Sequence, residues 1–163
     1  MLLQKTGVGM SLNTIYILVN VLALSGWLVL VVSMFSPDKV SVFSARIVPV
    51  VLAVIYTGLM FRLLPFNGGG FDSLANLAKL FAQPEIALVG WIHYLVADLF
   101  IGAWQVQTAK RENLSRFLIA PSLLLTFILG PLGLLFFLVM RYLFPGKSQN
   151  APQGSLDTSN SGQ

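Results

Sequence analysis

The stretch GWIHYLVADLF, residues 90–100, sets an imidazole and a carboxyl into an otherwise apolar and aromatic run. His93 and Asp98 can each take up and release a proton, so together they point to acid–base chemistry. At bilayer depth an ionisable side chain costs about 2.5–3.5 kcal/mol on insertion scales and normally faces a partner inside a bundle. Five residues at about 100° each put the two roughly 140° apart around a helix, so they do not share a face. Asp98 falls on the side of Trp91, Tyr94 and Gly102, and His93 on the side of Phe100 and Trp104. Glu85 is a third candidate, although an acid beside Pro84 at a helix start also reads as a cap of the positive end.

A polar pocket around these groups needs other segments. Asn20, Tyr56 and Thr126 are its expected lining, together with Trp91, Tyr94 and Trp104. The competing reading is that such groups only hydrogen-bond helices together, for about 0.6 kcal/mol each. Inventory removes several chemistries. With no cysteine and one histidine, thiolate metal sites, a cysteine nucleophile, a bis-histidine haem and an HExxH zinc site are excluded. Neither a phosphate-binding glycine loop nor a glycine-flanked serine elbow is present. Acid–base chemistry survives this elimination.

The elements that position these residues are membrane spans. The chain is 56% hydrophobic and 10% charged, against about 25% charged in a soluble domain. A span needs about 20 apolar residues. Four segments qualify: about Asn13 to Phe35, Arg46 to Leu64, Pro84 to Gln107 and Phe117 to Met140. The expectation is an all-α, polytopic transmembrane bundle of four helices over residues 1–144, with a disordered polar tail over 145–163. Four spans put both termini on one side. Lys5, Arg62, Lys79, Arg141 and Lys147 then oppose Lys39, Arg46, Lys110, Arg111 and Arg116, a balance that leaves orientation undecided. The scatter of these cations argues against nucleic acid.

Between spans two and three, Asp72 is expected to cap a short interfacial amphipathic helix with Leu74, Leu77, Ala78 and Phe81 on one face. In the fourth span Ser122, Thr126 and Gly130 form a small-residue stripe, and Pro131 predicts a kink. The first span is too long for a signal peptide. No transit peptide is visible before it, which suits a bacterial plasma or photosynthetic membrane, or a processed plastid protein.

The run FAQPEIALVGWIHYLVADLFIGAW, followed by APSLLLTFILGPLGLLFFLVMR, resembles the abscisic-acid-deficient-four-like membrane proteins, whose plant members are associated with neoxanthin synthesis from violaxanthin. The likeness extends from about Asn13 to Arg141 and maps the family pattern onto Pro84, Glu85, Gly90, Trp91, His93, Asp98, Trp104, Gly130, Pro131 and Arg141. It implies carotenoid or xanthophyll metabolism by a cofactor-free isomerase that opens an epoxide. Asp98 would be the acid and His93 the base, with exchangeable roles, or Glu85 would act near the interface. Besides the bilayer, the implied partner is a carotenoid or other apolar pigment; membrane protein partners or a homo-oligomer stay open, and the sequence does not say whether a second subunit completes the pocket. Two alternatives stay open: a pigment-binding or scaffold protein without catalysis, and a small proton or ion carrier.

Overall fold

A computed structural model describes residues 11–35 and 38–146, the side chains of 38–45 and 116 excepted. Six helices make up these residues: α1 (Leu12–Ser33), α2 (Asp38–Leu63), α3 (Leu74–Phe81), α4 (Pro84–Arg111), α5 (Arg116–Leu129) and α6 (Pro131–Leu143). The expected all-α membrane architecture is present, and no strand occurs among the described residues. Three helices are long and apolar enough to cross a membrane: α1, the Arg46–Leu63 part of α2, and α4. Most of the tail expected over 145–163 lies outside the described residues.

Local chemistry sets the helix ends. The Ser11 hydroxyl accepts the Thr14 amide at 3.1 Å and starts α1. In α4, Pro84 and Glu85 occupy the first turn and Lys110 and Arg111 the last, matching the helix dipole at both ends. α4 is the hub. It packs on α1, α2 and α3, and against the α5–α6 unit. Asn20 beside Trp91 and Trp27 beside Gly102 make α1 and α4 parallel. Tyr56 beside His93 and Arg46 beside Gln107 make α2 antiparallel to them.

The expected fourth span is corrected. Residues 117–140 do not form one kinked helix: Gly130, at φ +35°, separates α5 from α6, and the chain turns back on itself. In α6 Arg141 grips Glu112 with two bonds of 2.6 Å, just before α5 begins. A continuous helix would place Arg141 about 38 Å from the start of α5 at about 1.5 Å per residue. The arms are therefore antiparallel. Each is about 20 Å long, short of the roughly 30 Å of hydrocarbon. Pro131 takes the first position of α6, where its missing N–H costs nothing, so the proline starts a helix rather than bending one.

Because the hairpin enters and leaves on one face, the start of α1 and the end of α6 lie on opposite faces, unlike the expectation from four spans. The charge balance changes with it. Among the described residues, the positions of Lys39, Arg46, Lys110, Arg111, Arg116 and Arg141 share the face where α4 ends, leaving Arg62 and Lys79 on the other. Six against two predicts that the α4 end faces the cytoplasm. The absence of cysteine gives a clean assay. In intact bacterial cells an impermeant maleimide will modify Ser11→Cys and spare Pro145→Cys, with the reverse in inverted vesicles; labelling of both from one side would restore the four-span topology.

The short helix between α2 and α4 is where it was expected, but its anchor differs. Ser73 rather than Asp72 caps α3, accepting the Asn76 amide at 3.2 Å, while Asp72 accepts from the Asn76 side chain at 2.9 Å. Leu80 is the fully buried residue, whereas Leu74 is 81% exposed. Gly69 explains the docking: it lies so close to the Leu80 backbone that a Cβ there would sit 2.6 Å from the amide nitrogen. Phe81 covers Gly90 of α4 in the same way, so α3 is seated over the first turns of α4.

Candidate functional site

Asp98 is near the middle of α4 and points at the tip of the α5–α6 hairpin. The residue is 4% exposed. A Cβ on Gly130 would lie 2.5 Å from its Oδ1, so only a glycine lets the tip reach it. Among the described residues, Oδ2 of Asp98 is the one buried side-chain oxygen or nitrogen without a hydrogen-bond partner. An orphaned polar atom of this kind costs roughly 1–3 kcal/mol. The Tyr94 hydroxyl is beside the carboxyl and donates to the Ile128 carbonyl at 3.3 Å. That carbonyl belongs to the last turn of α5, which lacks helical partners, while the free amides of α6 begin at the same point. The carboxyl thus sits in a helix break, next to a hydroxyl that can pass a proton.

The hairpin covers only half of this face of α4. Towards the start of the helix, Pro84, Ala87, Leu88 and Trp91 continue the stripe that ends in Tyr94 and Asp98, and no hairpin packs over them. Together with Leu12, Asn13 and Tyr16 of α1 they line a cleft of about 360 Å³. Its inner end is aromatic. Trp91 stacks on Tyr94 with ring centroids 5.5 Å apart, lies 6.4 Å from Tyr16, and donates its indole N–H to Asn20 at 3.2 Å. A half-groove therefore runs along α4 from Pro84 to Trp91, about 10 Å at about 1.5 Å per residue, and its inner end lies one turn short of Tyr94 and two turns short of Asp98.

His93 belongs elsewhere. It is exposed on the α2 side of α4, its ring centroid 5.6 Å from that of Tyr56. About 140° of helix separate it from Asp98, as the spacing requires. Glu85 is partly buried in the first turn of α4, about 20 Å along the axis from Asp98. Of the expected lining, Trp91 lines the half-groove, and Tyr94 and Asn20 both contact Trp91. Tyr56 stays with His93, and Trp104 packs edge-on against Phe137 at 5.3 Å. Thr126 is buried in the hairpin interface.

The family model described as ABA DEFICIENT 4-like matches residues 14–137. The chain belongs to that family. No curated protein and no solved structure matches it. In this ABA DEFICIENT 4-like chain the match runs from α1 through α4 to Phe137 in α6, and so includes Asp98, Tyr94 and the glycine at the hairpin tip.

One residue of the site is missing from the expectations above. Gln105, 0% exposed, sits two turns beyond Asp98 on nearly the same face. Its amide N–H₂ donates to the Thr126 hydroxyl at 3.0 Å and to the Gly133 carbonyl at 3.2 Å, joining α4 to both arms of the hairpin. The signal was its spacing of seven from Asp98, which places a second polar group on the stripe. Gln105→Leu keeps the volume and removes both bonds. Unfolding in detergent micelles will show a loss of about 1–2 kcal/mol; an unchanged midpoint would mean that the bonds contribute nothing to holding the hairpin.

Proposed function

We propose that this ABA DEFICIENT 4-like protein takes a carotenoid into the half-groove of α4 and isomerises it by proton transfer at Asp98. Family membership supports the substrate class. The carrying observation is the buried, unpartnered Oδ2 of Asp98, which lies on the same stripe of α4 as the aromatic cleft that ends at Trp91, two turns away. A rod-like polyene fits such a path, and its ring end would reach the carboxyl although the ring hydroxyls of a xanthophyll usually stay at the headgroups.

The chemistry balances on one carboxyl. Asp98, directly or through Tyr94, gives its proton to the epoxide oxygen, and the adjacent carbon–oxygen bond opens. The carboxylate then removes the neighbouring polyene hydrogen, whose electron pair completes the allene. The product is an allenic alcohol and the carboxyl regains its proton. No oxidant, reductant or cofactor enters. His93, on the far side of α4, is not the base in this scheme, and Glu85, in the first turn of α4, is about 20 Å from Asp98 and takes no part in the proton transfer.

Deleting the gene and chromatographing the host's pigments tests the reading. Deletion is expected to deplete one carotenoid and accumulate its isomer, and unaltered pigments would remove the enzymatic reading. The aromatic groove also supports a second reading, pigment binding without catalysis; protein that purifies coloured from a host whose pigments do not respond to deletion would favour it.

A further inference from the structure

The cleft between α2 and α4 opens on the opposite side of α4 from Asp98. It has a volume of about 470 Å³ and is walled by Val50, Ala53, Val96 and Phe100, with Arg46 and Gln107 among the residues lining it. A volume of this size suits a ligand rather than a packing defect. From Gln107 to Val96 the cleft covers about 16 Å, half of the roughly 30 Å hydrocarbon thickness. That is the depth of one leaflet, too short for a molecule that spans both.

Arg46 and Gln107 mark the headgroup level. The Arg46 guanidinium donates through Nη2 to Oε1 of Gln107 at 2.9 Å, which fixes the fork at the mouth of the cleft. Among the described residues it makes no ion pair. A guanidinium has five N–H donors, so this bond leaves donors for an oxyanion, and the planar fork matches phosphate. The same face carries six of the eight basic residues in the described helices, which raises the local concentration of anionic lipid.

We propose that this cleft is a binding site for an anionic phospholipid of the leaflet on the α4-end face, with its phosphate on Arg46 and one acyl chain along Val50, Ala53, Val96 and Phe100. The site is separate from the half-groove and does not depend on the isomerase reading.

The test uses the full-length protein in neutral detergent. Native mass spectrometry and thermal unfolding would compare phosphatidylglycerol with phosphatidylcholine of the same chains, and with glycerol phosphate alone. Phosphatidylglycerol should bind about fivefold tighter than phosphatidylcholine, the factor one interfacial arginine supplies. Arg46→Gln should abolish that preference, and Arg62→Gln, at the other end of α2, should retain it. Ala53→Phe, which fills the cleft and keeps the guanidinium, should weaken both lipids. Equal binding of the two lipids by the wild type, or a preference that survives Arg46→Gln, would overturn the proposal. So would glycerol phosphate raising the Tm as far as the intact lipid does, since that would be an anion site without a groove. If Arg46→Gln does not fold, Ala53→Phe decides: undiminished lipid binding there rejects the cleft.

Discussion

Asp98→Asn will insert and fold but lower carotenoid conversion by about 10²–10⁴-fold, the contribution typical of a positioned acid or base. The amide has the shape of the carboxyl and fills the same space beneath Gly130, but it cannot lend a proton and take one back. Tyr94→Phe should cost less, because the carboxyl remains and only the hydroxyl beside it is lost. His93→Ala should reduce conversion by less than about tenfold, since the imidazole faces α2 and a substrate in the half-groove does not meet it. The measurement is pigment chromatography of a deletion strain complemented with each variant, with membrane levels checked by immunoblot. Wild-type pigments with Asp98→Asn would make the carboxyl a structural group.

What the sequence disclosed, and what it did not, follows from the range of the interactions. Hydropathy counted over 20 residues finds α1, the Arg46–Leu63 part of α2 and α4, because lipid exposure acts on each helix separately. The same count merges α5 and α6. The run from Phe117 to Met140 is apolar throughout, and what folds it back is not hydropathy. Glu112 and Arg141, 29 positions apart, close the open end, and a Cβ at Gly133 would overlap the Thr126 backbone and hydroxyl where the arms meet. Proline at 131 signalled a break in direction; only the positive φ of Gly130 makes that break a reversal. The angular separation of His93 and Asp98 was legible from a spacing of five. What each faces was not, since the partner of Asp98 is a hairpin tip that a four-span reading does not contain.

Gly130 is the residue on which that tip depends, and Gly130→Ala is expected to cost about 2–5 kcal/mol. About 1–2 kcal/mol comes from placing a side chain at φ +35°. A further 1–3 kcal/mol or so comes from the new Cβ, which would sit 2.5 Å from Oδ1 of Asp98 in a packed interior. The two contributions separate in a double-mutant cycle. In an Asp98→Ala background the carboxyl is gone, and Gly130→Ala should then cost only the backbone part, leaving a coupling of at least about 1 kcal/mol. Gly58→Ala is the control: nothing lies within 4 Å of its Cβ, so the variant loses no stability and gains helix propensity. Reversible unfolding in mixed micelles reads all four. An equal cost of Gly130→Ala with and without the carboxyl would show that the hairpin tip does not abut Asp98, and the proposed seat of the chemistry would have to lie elsewhere on α4.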